Sequence, residues 1–111
     1  MNKDLCDCMQ GDHSICLEVK QLISLGNFQD AIKIICNFMA KYPNSAIPHN
    51  LLGIVYERRG NHILAMKHFR VAWCLEPTYL PARANLDNWS NFQPIHKFYY
   101  EDEDCLKNKK I

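Results

Sequence analysis

Apolar side chains recur at helical spacing along most of the chain. Ile15, Val19 and Leu22 share one face of a stretch from about Ser14 to Leu25, and Ala31, Ile34, Ile35 and Phe38 do the same from about Phe28 to Tyr42. Such spacing marks amphipathic helices whose apolar stripe needs a neighbour. Two further stretches, about Ser45 to Arg59 and about His62 to Leu75, follow the same rule. A Gly-Asn pair stands between the members of each couple, at Gly26-Asn27 and Gly60-Asn61. Glycine ends a helix readily because it takes the left-handed conformation without steric cost, so each couple predicts a helix, a tight turn and a helix. Pro43 and Pro77 close the two units, because proline lacks the backbone donor and pushes the preceding residue out of helical geometry. Beyond Pro77 one more helix is predicted from Tyr79 to about Phe92. Its apolar positions are Leu80, Ala84, Leu86 and Trp89, and Pro94 stops it.

The units repeat. A shift of 34 residues brings Gly26-Asn27 onto Gly60-Asn61, Ala31 onto Ala65, Lys33 onto Lys67 and Pro43 onto Pro77. The same shift lays Leu17 on Leu51, Leu22 on Tyr56 and Ile35 on Phe69, so bulky apolar positions recur with the punctuation. A fixed period of this length is the mark of one supersecondary unit used twice. A single hairpin cannot bury its own apolar face, so neighbouring units stack and the last one needs a cap. The helix from Tyr79 to Phe92 suits that role, with Asn85, Asp87, Asn88, Ser90 and Asn91 predicted on its polar outer face.

The second unit resembles the tetratricopeptide repeat, with Leu52-Gly53, Tyr56, Ala65, Phe69, Ala72 and Pro77 at that family's signature spacing. His49 stands where the family usually has tryptophan. The first unit is more divergent: Ala31, Ile35 and Pro43 fit, while Val19 and Phe38 replace small residues and Glu18 takes a usually apolar position. The resemblance covers roughly residues 12–90. It implies an all-α, right-handed superhelix of two helical hairpins and a capping helix. The expected organisation is an N-terminal Cys-containing tail over 1–11 and a repeat domain over 12–92. Within that domain the repeats span about 12–45 and 46–79, and the cap about 79–92. An aromatic and charged C-terminal tail spans 93–111.

Composition narrows the function. The chain has 111 residues, 48% of them apolar, enough for one domain core, and a net charge of +1. That charge supplies no clustered positive field for a phosphate backbone, so nucleic acid is not an expected partner. No apolar run approaches the length of a membrane span and the first residues are acidic where an export signal would be apolar, so no membrane association and a cytoplasmic location are expected. The six cysteines are then expected as free thiols or metal ligands. Cys36 and Cys74 have no acid or base at a convincing spacing and are expected as small buried hydrophobes, and His49, His62, His68 and His96 form no expected pair. No enzymatic activity and no cofactor are expected.

By the resemblance, the first helices of successive units line a concave groove that receives a peptide. The positions that map there are His13, Cys16, Lys20, Ile23 and Ser24 from the first unit, and Ile47, Asn50, Ile54, Glu57 and Arg58 from the second. The capping helix adds Ala84, Asn85 and Asn88. Asparagine amides can bond a peptide backbone as donor and acceptor while Ile23 and Ile54 supply apolar contact; the plainer alternative is that Asn50, Asn85 and Asn88 solvate exposed helix faces. Some relatives hold a chaperone's C-terminal carboxylate with Lys, Asn and Arg side chains. At those positions this chain has Cys16, Lys20, Leu51, Pro81 and Asn85, which argues against that ligand. The leading expectation is a protein-interaction adaptor or scaffold, with self-association as a further route to a partner. A second is a metal- or redox-responsive regulator in which Cys6, Cys8, His13 and Cys16 are soft ligands. Phe98, Tyr99 and Tyr100 are expected to fold back on the capping helix, ahead of the acidic run Glu101 to Asp104 and the lysines 107, 109 and 110.

Overall fold

The structure, a computed structural model, describes residues 14–90 and 98–101. All regular structure among them is helical. Helix α1 runs over residues 14–24, α2 over Phe28–Lys41, α3 over Ile47–Arg58, α4 over His62–Leu75 and α5 over Leu80–Ser90. Each element from α2 onward packs on the next in the chain, and α3 also touches α5.

The two turns are built alike. Asn27 N–H donates to the Leu22 carbonyl (2.9 Å) and Gly26 N–H to the Ile23 carbonyl (3.0 Å). Thirty-four residues later, Asn61 N–H donates to Tyr56 (2.8 Å) and Gly60 N–H to Glu57 (3.0 Å). This paired pattern is a Schellman motif, which satisfies the last helical carbonyls only if the residue past the cap is left-handed. Gly26 and Gly60 supply that conformation, with φ of 80° and 86°, and no other described residue has positive φ. The closing bonds of α2 and α4, Tyr42 N–H to Phe38 and Glu76 N–H to Ala72, recur at the same offset. The two turns differ in one detail. The Asn61 side chain caps α4 by accepting from Leu64 N–H (3.2 Å), whereas Asn27 makes no such bond.

One apolar core runs through the helices. Ile15, Val19 and Ile23 of α1 meet Ala31 and Ile35 of α2, Leu51, Ile54 and Val55 of α3, and Ala65, Met66 and Phe69 of α4. Phe69 lies against Gly53: a Cβ built there would fall 2.6 Å from Phe69 Cδ1, so only glycine allows the two helices this approach. Glu76, just past α4, accepts from the Ala46 N–H at the start of α3 (2.8 Å). A carboxylate there satisfies a donor that the helix itself leaves free and faces the positive end of the helix dipole.

Two expectations about burial and one about pairing are corrected. Cys36 and Cys74 are exposed. The inner stripe of α2 is centred on Ala31 and Ile35, and a step of one residue turns the side chain by about 100°; Cys74 likewise lies beyond the buried run Ala65, Met66, Phe69 and Ala72 of α4. Asn85 is not on the outer face of α5. It is fully buried beside Pro81 and Ala82, whereas Leu80 is exposed. His49 is not isolated, since the packing of α3 on α4 brings its Nδ1 to 3.3 Å from Nδ1 of His68.

Candidate functional site

The inner side of α1, α3 and α5 is occupied by the chain's own residues 98–100. Phe98, Tyr99 and Tyr100 return outside any helix, and Tyr99 and Tyr100 are buried. The expected return to the last helix is present: the Phe98 ring stacks on Trp89 with centroids 4.7 Å apart. The segment goes further than expected, because it also reaches α1 and α3.

Its backbone is clamped by two asparagine amides. The Asn85 side chain accepts from Tyr99 N–H (2.8 Å) and donates to the Tyr99 carbonyl (2.8 Å). The same Nδ2 donates to Asn50 Oδ1 (2.8 Å), and Asn50 Nδ2 donates to the Tyr99 carbonyl (3.1 Å). One carboxamide therefore exchanges both hydrogen bonds with a single residue, much as a neighbouring strand would. The next carbonyl, of Tyr100, accepts from the Tyr79 hydroxyl (3.2 Å) and from the weak donor Cys16 Sγ (3.5 Å). Lys20 Nζ lies 5.2 Å from the Tyr100 ring centroid, a cation over an aromatic face.

The asparagines are not solvated surface residues. Asn50 and Asn85 are both fully buried, and no buried side-chain nitrogen or oxygen among the described residues lacks a hydrogen-bond partner. An unpaired buried amide costs about 1–3 kcal/mol, so the two side chains together demand a partner with a carbonyl and an N–H in the right places. A peptide backbone meets that demand here.

The other sequence-predicted groove positions divide into two groups. Ile23, Ile47 and Ile54 are buried in the core that also holds Tyr100, and Cys16 lies on the same inner face. Lys20 stands at the edge of the segment. Ser24 is exposed and its hydroxyl donates to the Lys20 carbonyl (2.9 Å). Glu57 is held by His62 Nδ1 (2.8 Å) near the turn, Arg58 is exposed at the end of α3, and Ala84 and Asn88 are half-buried on α5. Cys6, Cys8 and His13 lie outside the described residues, as do Cys105 and the charged end of the chain. Tyr79 and Trp89 were missing from the predicted site. Both are aromatics flanking or within α5, and the aromatic triplet at 98–100 was the only sign of what they meet.

A second polar cluster lies between α3 and α4. His68 stacks on Tyr56 (centroids 5.4 Å apart) and on His49 (5.5 Å). Burial lowers the pKa of both histidines, and for His68 the nearby charge of His49 lowers it further. Of two imidazoles with facing Nδ1 atoms, at most one can donate along that contact, so the arrangement fits a neutral pair and disfavours a doubly protonated one.

No described helix is long and apolar enough to cross a membrane. Compared with known proteins, the chain matches no family model, no curated protein and no solved structure.

Proposed function

We propose that this protein is a non-catalytic interaction module of the tetratricopeptide type, an adaptor or scaffold whose inner helical surface receives a peptide segment of a protein partner. One observation carries the reading: Asn50 and Asn85 are buried, and between them they bond the backbone N–H and carbonyl of one residue. Hydrophobic closure alone would be served by leucine at these positions. Buried carboxamides are instead suited to a chain whose backbone must be held whatever its side chains. The 34-residue recurrence of the turn bonds and the Gly53–Phe69 approach support stacked hairpins of this family's kind. The surface holds its ligand by shape and hydrogen bonding, with no chemical step and no nucleic acid or membrane involved.

Panning a displayed random-peptide library tests this, using the full chain and a full chain carrying Phe98→Ala and Tyr100→Ala. Enriched peptides should perturb the side-chain amide signals of Asn50 and Asn85 in nuclear magnetic resonance spectra. Failure of both chains to enrich any peptide, or perturbations confined to the outer faces of α2 and α4, would remove the reading.

A further inference from the structure

We infer that residues 98–101 are an intramolecular stand-in for a partner's peptide, and that the partner able to displace them offers a non-helical stretch with an aromatic ring on each side of the clamped residue. This rests on the interaction-module reading and specifies the ligand and the regulation of that same surface.

The ligand class follows from the contacts. Asn85 uses both the N–H and the carbonyl of Tyr99, and in a helical ligand those groups would be committed to the ligand's own ladder. The bound residue must therefore be non-helical. On either side of it the surface offers aromatic seats: Trp89 stacks on Phe98, and Lys20 lies over Tyr100, whose carbonyl meets Tyr79 and Cys16. An occupant that presents no backbone N–H and carbonyl there would leave the bonds that Asn50 and Asn85 make to Tyr99 unmade, so it is not an equivalent one.

The regulation follows from the tether. The segment is covalently part of the same chain as α5, separated from it by seven positions of sequence, and an intramolecular occupant so close in sequence competes at an effective concentration on the order of millimolar. A free peptide of equal intrinsic affinity competes poorly at lower concentration, because the surface is open only a small fraction of the time. The occupant is nevertheless short and non-helical, so a longer partner with more contacts can replace it. The inner surface is thus closed by default and opens to a partner that outcompetes its own aromatic segment.

Anisotropy titration with a labelled peptide Lys-Phe-Tyr-Tyr-Glu-Asp, the sequence of residues 97–102, tests the proposal. Four versions of the 111-residue chain are compared: the native one, Phe98→Ala/Tyr100→Ala, Tyr99→Pro, which deletes the N–H that Asn85 accepts, and Phe98→Ala/Tyr100→Ala with Asn85→Ala added. Both opened chains should bind the peptide at least about tenfold more tightly than the native chain, and the added Asn85→Ala should abolish the gain. Equal affinity of native and opened chains overturns the stand-in role while leaving the interaction reading in place. No binding by any folded chain overturns the assigned ligand, and panning then decides the broader reading separately. If both opened chains lose their helical circular dichroism, the segment is core and the proposal falls. A native chain that scatters light as a dimer by exchanging the segment makes a second copy the occupant, which also overturns it.

Discussion

At the residue scale, the decisive feature is a pair of buried amides whose partners are backbone groups far along the chain. Asn85→Leu keeps the branched shape and removes both bonds to Tyr99 and the one to Asn50, so it should cost about 1–3 kcal/mol of unfolding free energy in a urea titration, through stranded groups at Tyr99 and Asn50. Gly53→Ala should destabilise by a similar amount, about 1–3 kcal/mol, since the new Cβ overlaps the Phe69 ring. The histidine pair gives a pH signature. Folding lowers both pKa values below the usual 6.5, so the neutral pair's contribution is fully present above pH 6.5 and declines as the pH falls, because the unfolded chain takes up protons first. Thermal unfolding between pH 7.5 and 5 should follow that slope, and His68→Phe should flatten it, whereas an unchanged slope would contradict the pairing. Gly53 was legible in the sequence because its constraint is attached to a repeating pattern. Asn50 was legible as an inner-face residue but not as a buried one, since its carbonyl partner is 49 positions away. The His49–His68 contact was invisible for the same reason, with no local spacing to announce it.

At the element scale, the bounds of α1 to α4 follow the sequence closely. Their determinants are local: an apolar period, a glycine past each C-terminus of the first helices and a proline past the second. The equivalence of the two turns can be tested directly. Gly26→Ala and Gly60→Ala should each cost about 1–2 kcal/mol, because nothing crowds the new Cβ and the penalty is that of a left-handed L-residue alone. A large difference between the two, read from the midpoints of chemical unfolding, would mean that the turns are not equivalent. The faces of α5 do not follow from its hydrophobic pattern. Hydrophobicity ranked Leu80 inward and Asn85 outward, yet Pro81, Ala82 and Asn85 form the buried side. Ranking by polarity fails there because what covers α5 is a backbone, which needs a hydrogen-bonding side chain opposite it.

At the scale of the whole molecule, the helices are arranged around a short segment that belongs to none of them. Aromatics at 98–100 were expected to pack on the final helix, and the Trp89–Phe98 stack is that contact. Their bonds to α1 and α3 depend on how the hairpins stack, which one sequence does not encode locally. The molecule's peptide-holding role rests on Asn50 and Asn85 gripping a backbone at the inner surface. Amide hydrogen exchange at Tyr99, in the native chain and in Asn85→Ala, tests it most directly. The Tyr99 amide should be protected in the native chain and lose that protection in the variant, while the amides of α2 and α4 keep theirs. Exchange of Tyr99 at the rate of an unstructured peptide in the native chain would contradict it.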